Sequence, residues 1–219
     1  MEYDFILASS SPRRLALLKQ AGILPKKIES PNIYEEKDEK ESVFTYVERM
    51  AKQKALTVAK AYPNDNIIAA DTVVLCANKV LPKTDDEEQA RKNLQLLSGR
   101  RHRVITAVCL VDKNGRASVR HVVSKVKFKR IPLDELEEYL GTGEWVNKAG
   151  SYAIQGMAER FVQMIIGTWS NIVGLPLYET VSMLQKAKKA ERRLAMLMEN
   201  EEDDDDDEDF DEFDDSEDD

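Results

Sequence analysis

The chain has 219 residues, enough to bury a real core and few enough for one domain or a compact two-lobed one. At 42% hydrophobic and 33% charged it reads as soluble and globular, and no run approaches the roughly 18 apolar residues that a membrane helix requires. The net charge of −9 hides two opposed parts: residues 201–219 hold 16 acidic side chains in 19 positions and no basic one, whereas the other 200 residues hold 25 acidic and 32 basic side chains, a net of +7.

Residues 5–8 predict a first strand. The following Ser9-Ser10-Ser11 leads into a helix at Pro12, since Ser at the N-cap and Pro at the first helical position are start signals, and Gly22 ends that helix. Residues 26–41 predict a short strand and a charged loop. Residues 42–61 predict a second helix, with Phe44, Val47, Met50, Ala51 and Ala55 on one face. The apolar run 67–77, interrupted by Asp71 and Thr72, suits a central strand buried on both faces. A helix over 85–97 follows, then strands over 103–112 and 119–129 joined by a Lys113-Asn114-Gly115 turn. A short helix over 133–140, a loop-rich stretch over 143–156, a strand over 160–167 and a long helix over 176–198 complete the body. Strands alternating with helices around a hairpin predict an α/β fold on a mixed sheet.

The N-terminus has no basic start and only a short apolar FILA, so no secretory signal is read there and the expected compartment is the cytoplasm. Cys76 and Cys109 lie in apolar strand-like runs and are expected to be small buried hydrophobes rather than a disulfide. His102 and His121 show no metal-ligand spacing.

Four segments carry polar groups suited to chemistry. In Ser9-Ser10-Ser11-Pro12-Arg13-Arg14 a strand runs into the positive end of a helix, with hydroxyls and guanidiniums at the junction. That suits phosphate, because the first amides of a helix are unpaired and its dipole favours an anion; the plainer reading is an ordinary Ser cap beside a surface arginine pair. Asp71 lies within IIAADTVVL, where a carboxylate is costly unless paired, hydrogen-bonded or bound to a cation; the plainer reading is a turn cap at a strand end. Lys54 and Lys83, taken singly, are most simply solvated lysines. Gln155, in the glycine-bracketed KAGSYAIQG, could read a base edge or simply occupy a turn.

Taken together, the segments LASSSPRRLALL, ERMAKQKA, IIAADTVV, VLPKTDDEEQARKNLQLLSGRRHRVITAV, NKAGSYAIQG and VGLPLYET stand in an order that resembles the Maf family of nucleotide pyrophosphatases, over residues 6–184. The resemblance implies an elongated mixed β-sheet flanked by helices around a central cleft, related in architecture to the inosine-triphosphate pyrophosphatases. It implies hydrolysis of a nucleoside triphosphate to the monophosphate and pyrophosphate with a divalent cation, Mg²⁺ or Mn²⁺. Asp71 then matches the proton acceptor; Arg13, Thr72 and Gln155 match positions tied to substrate selection; Ser11, Arg14, Lys54 and Lys83 match the lining that meets the phosphates. Glu35, with Asp71, matches the metal-holding carboxylates, although the usual Asp-Glu pair reads Tyr34-Glu35 here. Asp71-Thr72 with Gln155 is similar to the branch acting on dTTP and UTP; the branch acting on 7-methyl-GTP tends to have Asp-Gln and Glu there.

The expected partner is thus a small nucleoside triphosphate, with no nucleic acid and no membrane, and a homodimer is compatible with the sequence. A regulatory or interaction protein linked to cell division, with which the family is associated, is the competing class; it would not need Asp71. Residues 199–219 are too acidic and too poor in apolar groups to pack, so a disordered tail follows a domain over 1–198. Such a tail would solubilise the protein or compete electrostatically for the basic KAKKAERR helix or the cleft.

Overall fold

One strand organises the molecule, and the apolar run predicts it. In the computed structural model, which describes residues 3–38 and 40–205 with side chains through residue 197, β3 spans Ile67–Cys76 with all ten residues buried. The side chains alternate between two cores. Ile68, Ala70, Val74 and Cys76 enter a large cluster on one face, and Ile67, Ala69, Val73 and Leu75 enter a smaller one on the other.

Around β3 the described residues form a seven-stranded sheet in the order β2-β1-β3-β5-β6-β7, with β4 beside β3. β1 (Ile6–Ala8) pairs in parallel with β2 (Lys27–Glu29) and with β3. β5 (Arg101–Val111), β6 (Ala117–Phe128) and β7 (Val162–Ile166) continue antiparallel. The sheet is mixed and flanked by helices, the α/β class read from the sequence. Helix α2 (Val43–Ala59) covers the smaller cluster through Val47, Ala51, Ala55 and Val58. On the opposite face lie α1 (Pro12–Gln20), α3 (Glu87–Leu97), α4 (Leu133–Gly141), α5 (Trp169–Val173) and α6 (Leu177–Asp205).

A gap in the pairing places the cleft. β1 pairs with β3 only at Ile67 and Ile68, and β4 (Lys79–Leu81) pairs only with Val74, Leu75 and Cys76. Between these partners, residues 69–73 have no strand beside them on that side. Asp71 and Thr72 sit in this gap, just beyond the point where β1 ends and α1 begins.

Five features differ from the sequence reading, one being helix α5 (Trp169–Val173), in a stretch the sequence reading left unassigned. β4 was not anticipated: its hairpin turns on Ala77 (φ 47°) and Asn78 (φ 61°), and Ala-Asn lacks the Asn-Gly signature of such turns. A 3-10 segment, Met157–Phe161, precedes β7, which starts at Val162 rather than at residue 160. Phe44, expected on the buried face of α2, is 42% exposed; it lies in the first turn, where it meets the His121 ring edge-on at 5.8 Å. Helix α6 continues to Asp205 instead of ending near residue 198, because extending an existing helix requires no new nucleus. The rest of the expected acidic tail, residues 206–219, lies outside the described residues. Among the described residues no helix is long and apolar enough to cross a membrane.

Cys76 and Cys109 are buried and free, and burial pushes the Cys109 thiol up to about 12. His102 on β5 is buried to 2% exposure, with Nε2 2.9 Å from the Tyr152 hydroxyl and its ring edge-on to Phe128 at 4.9 Å. Burial holds its pKa down at about 4, against 6.5 for an unperturbed imidazole. The folded value being the lower one, the unfolded chain takes up the proton first. The stabilising effect is whole above pH 6.5 and is lost as the pH falls toward 4. Melting temperature should therefore drop between pH 6.5 and 4, with His102 supplying up to about 3 kcal/mol. His102→Gln should flatten that part of the curve; the same slope in both proteins would show that His102 is not the titrating group.

Candidate active site

The site begins with a carboxylate that cannot stay alone. Asp71, 2% exposed, points from β3 toward α2, where the Lys54 ammonium donates to its Oδ1 at 2.7 Å. Lys54 occupies the buried stripe of α2 between Ala51 and Ala55, a cation at a position where helical spacing calls for an apolar residue. The same ammonium lies 2.5 Å from Glu35 Oε1, and Lys83 donates to Glu35 Oε2 at 3.0 Å. Two carboxylates and two ammoniums thus form one chain, Asp71–Lys54–Glu35–Lys83. Burial raises the Glu35 pKa, but the two ammonium groups outweigh it and hold the carboxyl down at about 2. Tyr46, half-buried on α2, has its phenol pushed up to about 12 by burial and by the nearby Asp71 and Glu35 charges.

Thr72 faces the opposite side of the sheet, as strand alternation demands. There Arg14, 9% exposed, joins three segments: its Nε donates to the Gly174 carbonyl at 2.8 Å, Nη1 to Ser9 Oγ at 3.1 Å and Nη2 to Thr72 Oγ1 at 3.4 Å. Burial lowers the Arg14 pKa, and Asp71 and Glu35 oppose the shift. Gly174 has φ 121°, a conformation in which a side chain would be strained, and it packs against Arg14 and Thr72. Buried Asn171 fastens α5 to the sheet, donating to Val104 O at 3.2 Å and Ser124 Oγ at 2.9 Å, and so sets where Gly174 falls.

These groups surround a cleft of about 350 Å³. Its lining includes Ser11, Arg13, Arg14, Glu35, Lys54, Thr72 and Lys83, residues far apart in the chain that the sequence reading had singled out together. Asp71 lies directly behind Lys54. The N-terminus of α1 opens into the cleft, and Ser11 at the N-cap makes no side-chain capping bond, leaving the Arg13 and Arg14 amides beyond Pro12 to face an anion. Gln155 does not join this group. It is exposed, in a turn closed by Gly156 N donating to Ala153 O at 3.0 Å, and is not among the residues that line the cleft.

Some contributors carried a sequence signal that went unread. Asn93 is 2% exposed on the apolar face of α3, between Ala90 and Leu94; a polar residue in such a stripe is that signal. It donates to Ser151 Oγ at 2.9 Å and to Pro82 O at 3.3 Å, tying together the loops that carry Lys148 and Lys83. Lys148, inside the glycine-bracketed segment, also lines the cleft.

Among the described residues no three His, Cys, Asp or Glu side chains form a group able to hold a metal. Glu35 and Asp71, joined through one ammonium, carry hard carboxylate oxygens of the kind that could hold a cation beside the cleft. Mg²⁺ is commonly bound by one or two carboxylates together with substrate phosphates, so the pair fits a cation shared with a nucleotide, not one caged by protein alone.

The dTTP/UTP pyrophosphatase of Paramagnetospirillum magneticum is 48% identical over 179 residues, covering 82% of this chain and 94% of that protein. The nucleoside triphosphate pyrophosphatase of Anaplasma phagocytophilum is 49% identical over 181 residues, covering 83% and 94%. Among solved structures, a HAM1 protein from Coxiella burnetii aligns with 59% of this chain and 75% of its own at 21% identity and a TM-score of 0.45. The family described as Maf-like protein matches residues 4–187, a span that holds every cleft residue named above, and the chain belongs to that family.

Proposed function

We propose that this chain hydrolyses dTTP and UTP to the monophosphate and pyrophosphate, with Asp71 as the base that activates the attacking water. Its relatives named nucleoside triphosphate pyrophosphatase and dTTP/UTP pyrophosphatase support the reaction class and the pyrimidine preference respectively. The single observation that carries the role of Asp71 is its pairing with Lys54 at 2.7 Å beside a cationic cleft.

The chemistry follows from charge. A triphosphate brings about four negative charges near neutral pH, and the cleft offers Arg13, Lys54, Lys83 and the first amides of α1 to offset them. Lys54 is shared by Asp71 and Glu35, so an arriving phosphate competes for its ammonium. Movement of Lys54 onto a phosphate oxygen bares the Asp71 carboxylate, which then accepts a proton from water. The water attacks the α phosphorus in line with the departing pyrophosphate. Glu35 and Asp71 would hold Mg²⁺ or Mn²⁺, which supplies charge neutralisation and lowers the pKa of bound water. Arg14 holds the cleft's shape through its bonds to Gly174, Ser9 and Thr72 and keeps two of its five N–H donors for a phosphate oxygen.

Incubation with a panel of nucleoside triphosphates and Mg²⁺ or Mn²⁺ should yield pyrophosphate, fastest from dTTP and UTP. Release of orthophosphate, or a clear preference for 7-methyl-GTP, would overturn the substrate assignment. Asp71→Asn keeps the shape and removes the basic oxygen, so turnover should fall by at least about 100-fold. The variant should fold, because Lys54 retains Glu35; turnover near wild type in a folded variant would refute the base.

A further inference from the structure

The cations that line the cleft differ in how their charge is met. Lys54 and Lys83 are paired with carboxylates, and Arg14 donates to three protein oxygens. Arg13 and Lys148 line the same cleft with no carboxylate partner among the described residues. The two are close enough to repel. Burial and then Arg13 lower the Lys148 pKa, while burial and then Arg14 hold the Arg13 guanidinium at about 10. An anion placed between them relieves that repulsion; a neutral base does not.

We propose that Lys148, with Arg13, forms the subsite for the leaving pyrophosphate, an assignment that rests on the reaction proposed above. Water activation belongs to the Asp71–Lys54–Glu35 side of the cleft, where the positive charge is already compensated. The charge that grows on the departing group needs cations not yet spent on protein carboxylates; Arg14 is one but is anchored through three of its five N–H groups, whereas Lys148 and Arg13 meet the need with most of their donors open. Lys148 Nζ donates to Val146 O at 2.9 Å, which anchors the side chain and leaves two ammonium protons for phosphate oxygens.

Asn93 is the positioning residue of this subsite. Its bond to Ser151 Oγ fixes the loop three residues beyond Lys148, and its bond to Pro82 O fixes the residue preceding Lys83. Asn147 N donates to Thr84 O at 2.9 Å and joins the same two loops through the backbone. Gln89 Nε2 donates to Asn93 Oδ1 at 3.1 Å and holds the amide in place.

Calorimetric titration of the full chain with inorganic pyrophosphate, and separately with uridine monophosphate, both with Mg²⁺ present, tests the assignment. Lys148→Met should weaken pyrophosphate by at least about 10-fold, the loss of one charge-assisted hydrogen bond, and leave uridine monophosphate within about twofold. Lys148→Arg should retain pyrophosphate binding. Asn93→Leu should weaken pyrophosphate in the wild type and cost less in the Lys148→Met background, where only its hold on the Lys83 loop remains to be lost. Unchanged pyrophosphate affinity in Lys148→Met, or an equal loss for the monophosphate, overturns the subsite. If the chain binds pyrophosphate through Lys148 yet releases none from any nucleoside triphosphate, the reaction fails and the subsite stands.

Discussion

A carboxylate in the middle of a strand buried on both faces must be met by a cation, and much of this structure follows from meeting it. Asp71 lies between two apolar cores, and the Lys54 ammonium reaches it from α2. Removing Lys54 would leave the Asp71 carboxylate buried and alone, a loss that typically costs about 3–5 kcal/mol. The pair therefore ties α2 to β3 in register. Because Lys54 also touches Glu35, the charged loop after β2 is drawn over the same point.

The neighbouring residue performs a comparable task on the other face. Thr72 points away from Asp71 and, through Arg14, joins the end of β1, the start of α1 and the turn at Gly174. Strand alternation thus distributes one dipeptide between two networks, a charged one under α2 and a hydrogen-bonded one under α1 and α5. Both networks can meet a single cleft because the sheet is interrupted beside residues 69–73, where β1 has ended and β4 has not begun. In open α/β sheets, ligands bind beyond the carboxyl ends of strands, and here the carboxyl end of β1 delivers the N-terminus of α1 to the same place.

The cleft's electrostatics combine rigidity with reserve. Compensated cations such as Lys54 and Lys83 hold the folded cleft together without a ligand, while uncompensated ones such as Arg13 and Lys148 keep charge available for an anion. Glu35, held near pKa 2, stays ionised down to strongly acidic pH, so the bridge between the two lysines persists across the neutral range.

Local pattern by itself determined the α/β class, the central strand, the Ser-Pro start of α1 and the α2 stripe, because hydrophobic periodicity and capping chemistry act within a few residues. The order of six segments determined the family, and the penalty for an unpaired Asp71 marked the site. What the residues taken singly could not decide was which of them meet. Lys54 and Lys83 read as ordinary surface lysines until the packing of α2 and the β3–β4 hairpin brought both to Glu35. Asn93 and Asn171 drew no reading from the sequence, and only their burial shows that each anchors a loop or short helix at the cleft. Gln155 matched a recognised motif yet is exposed and outside the cleft lining. Identity and spacing along the chain specify local conformation, but ion pairing and burial depend on distances between segments up to 160 residues apart, as between Arg14 and Gly174, and only the closed tertiary structure sets those distances.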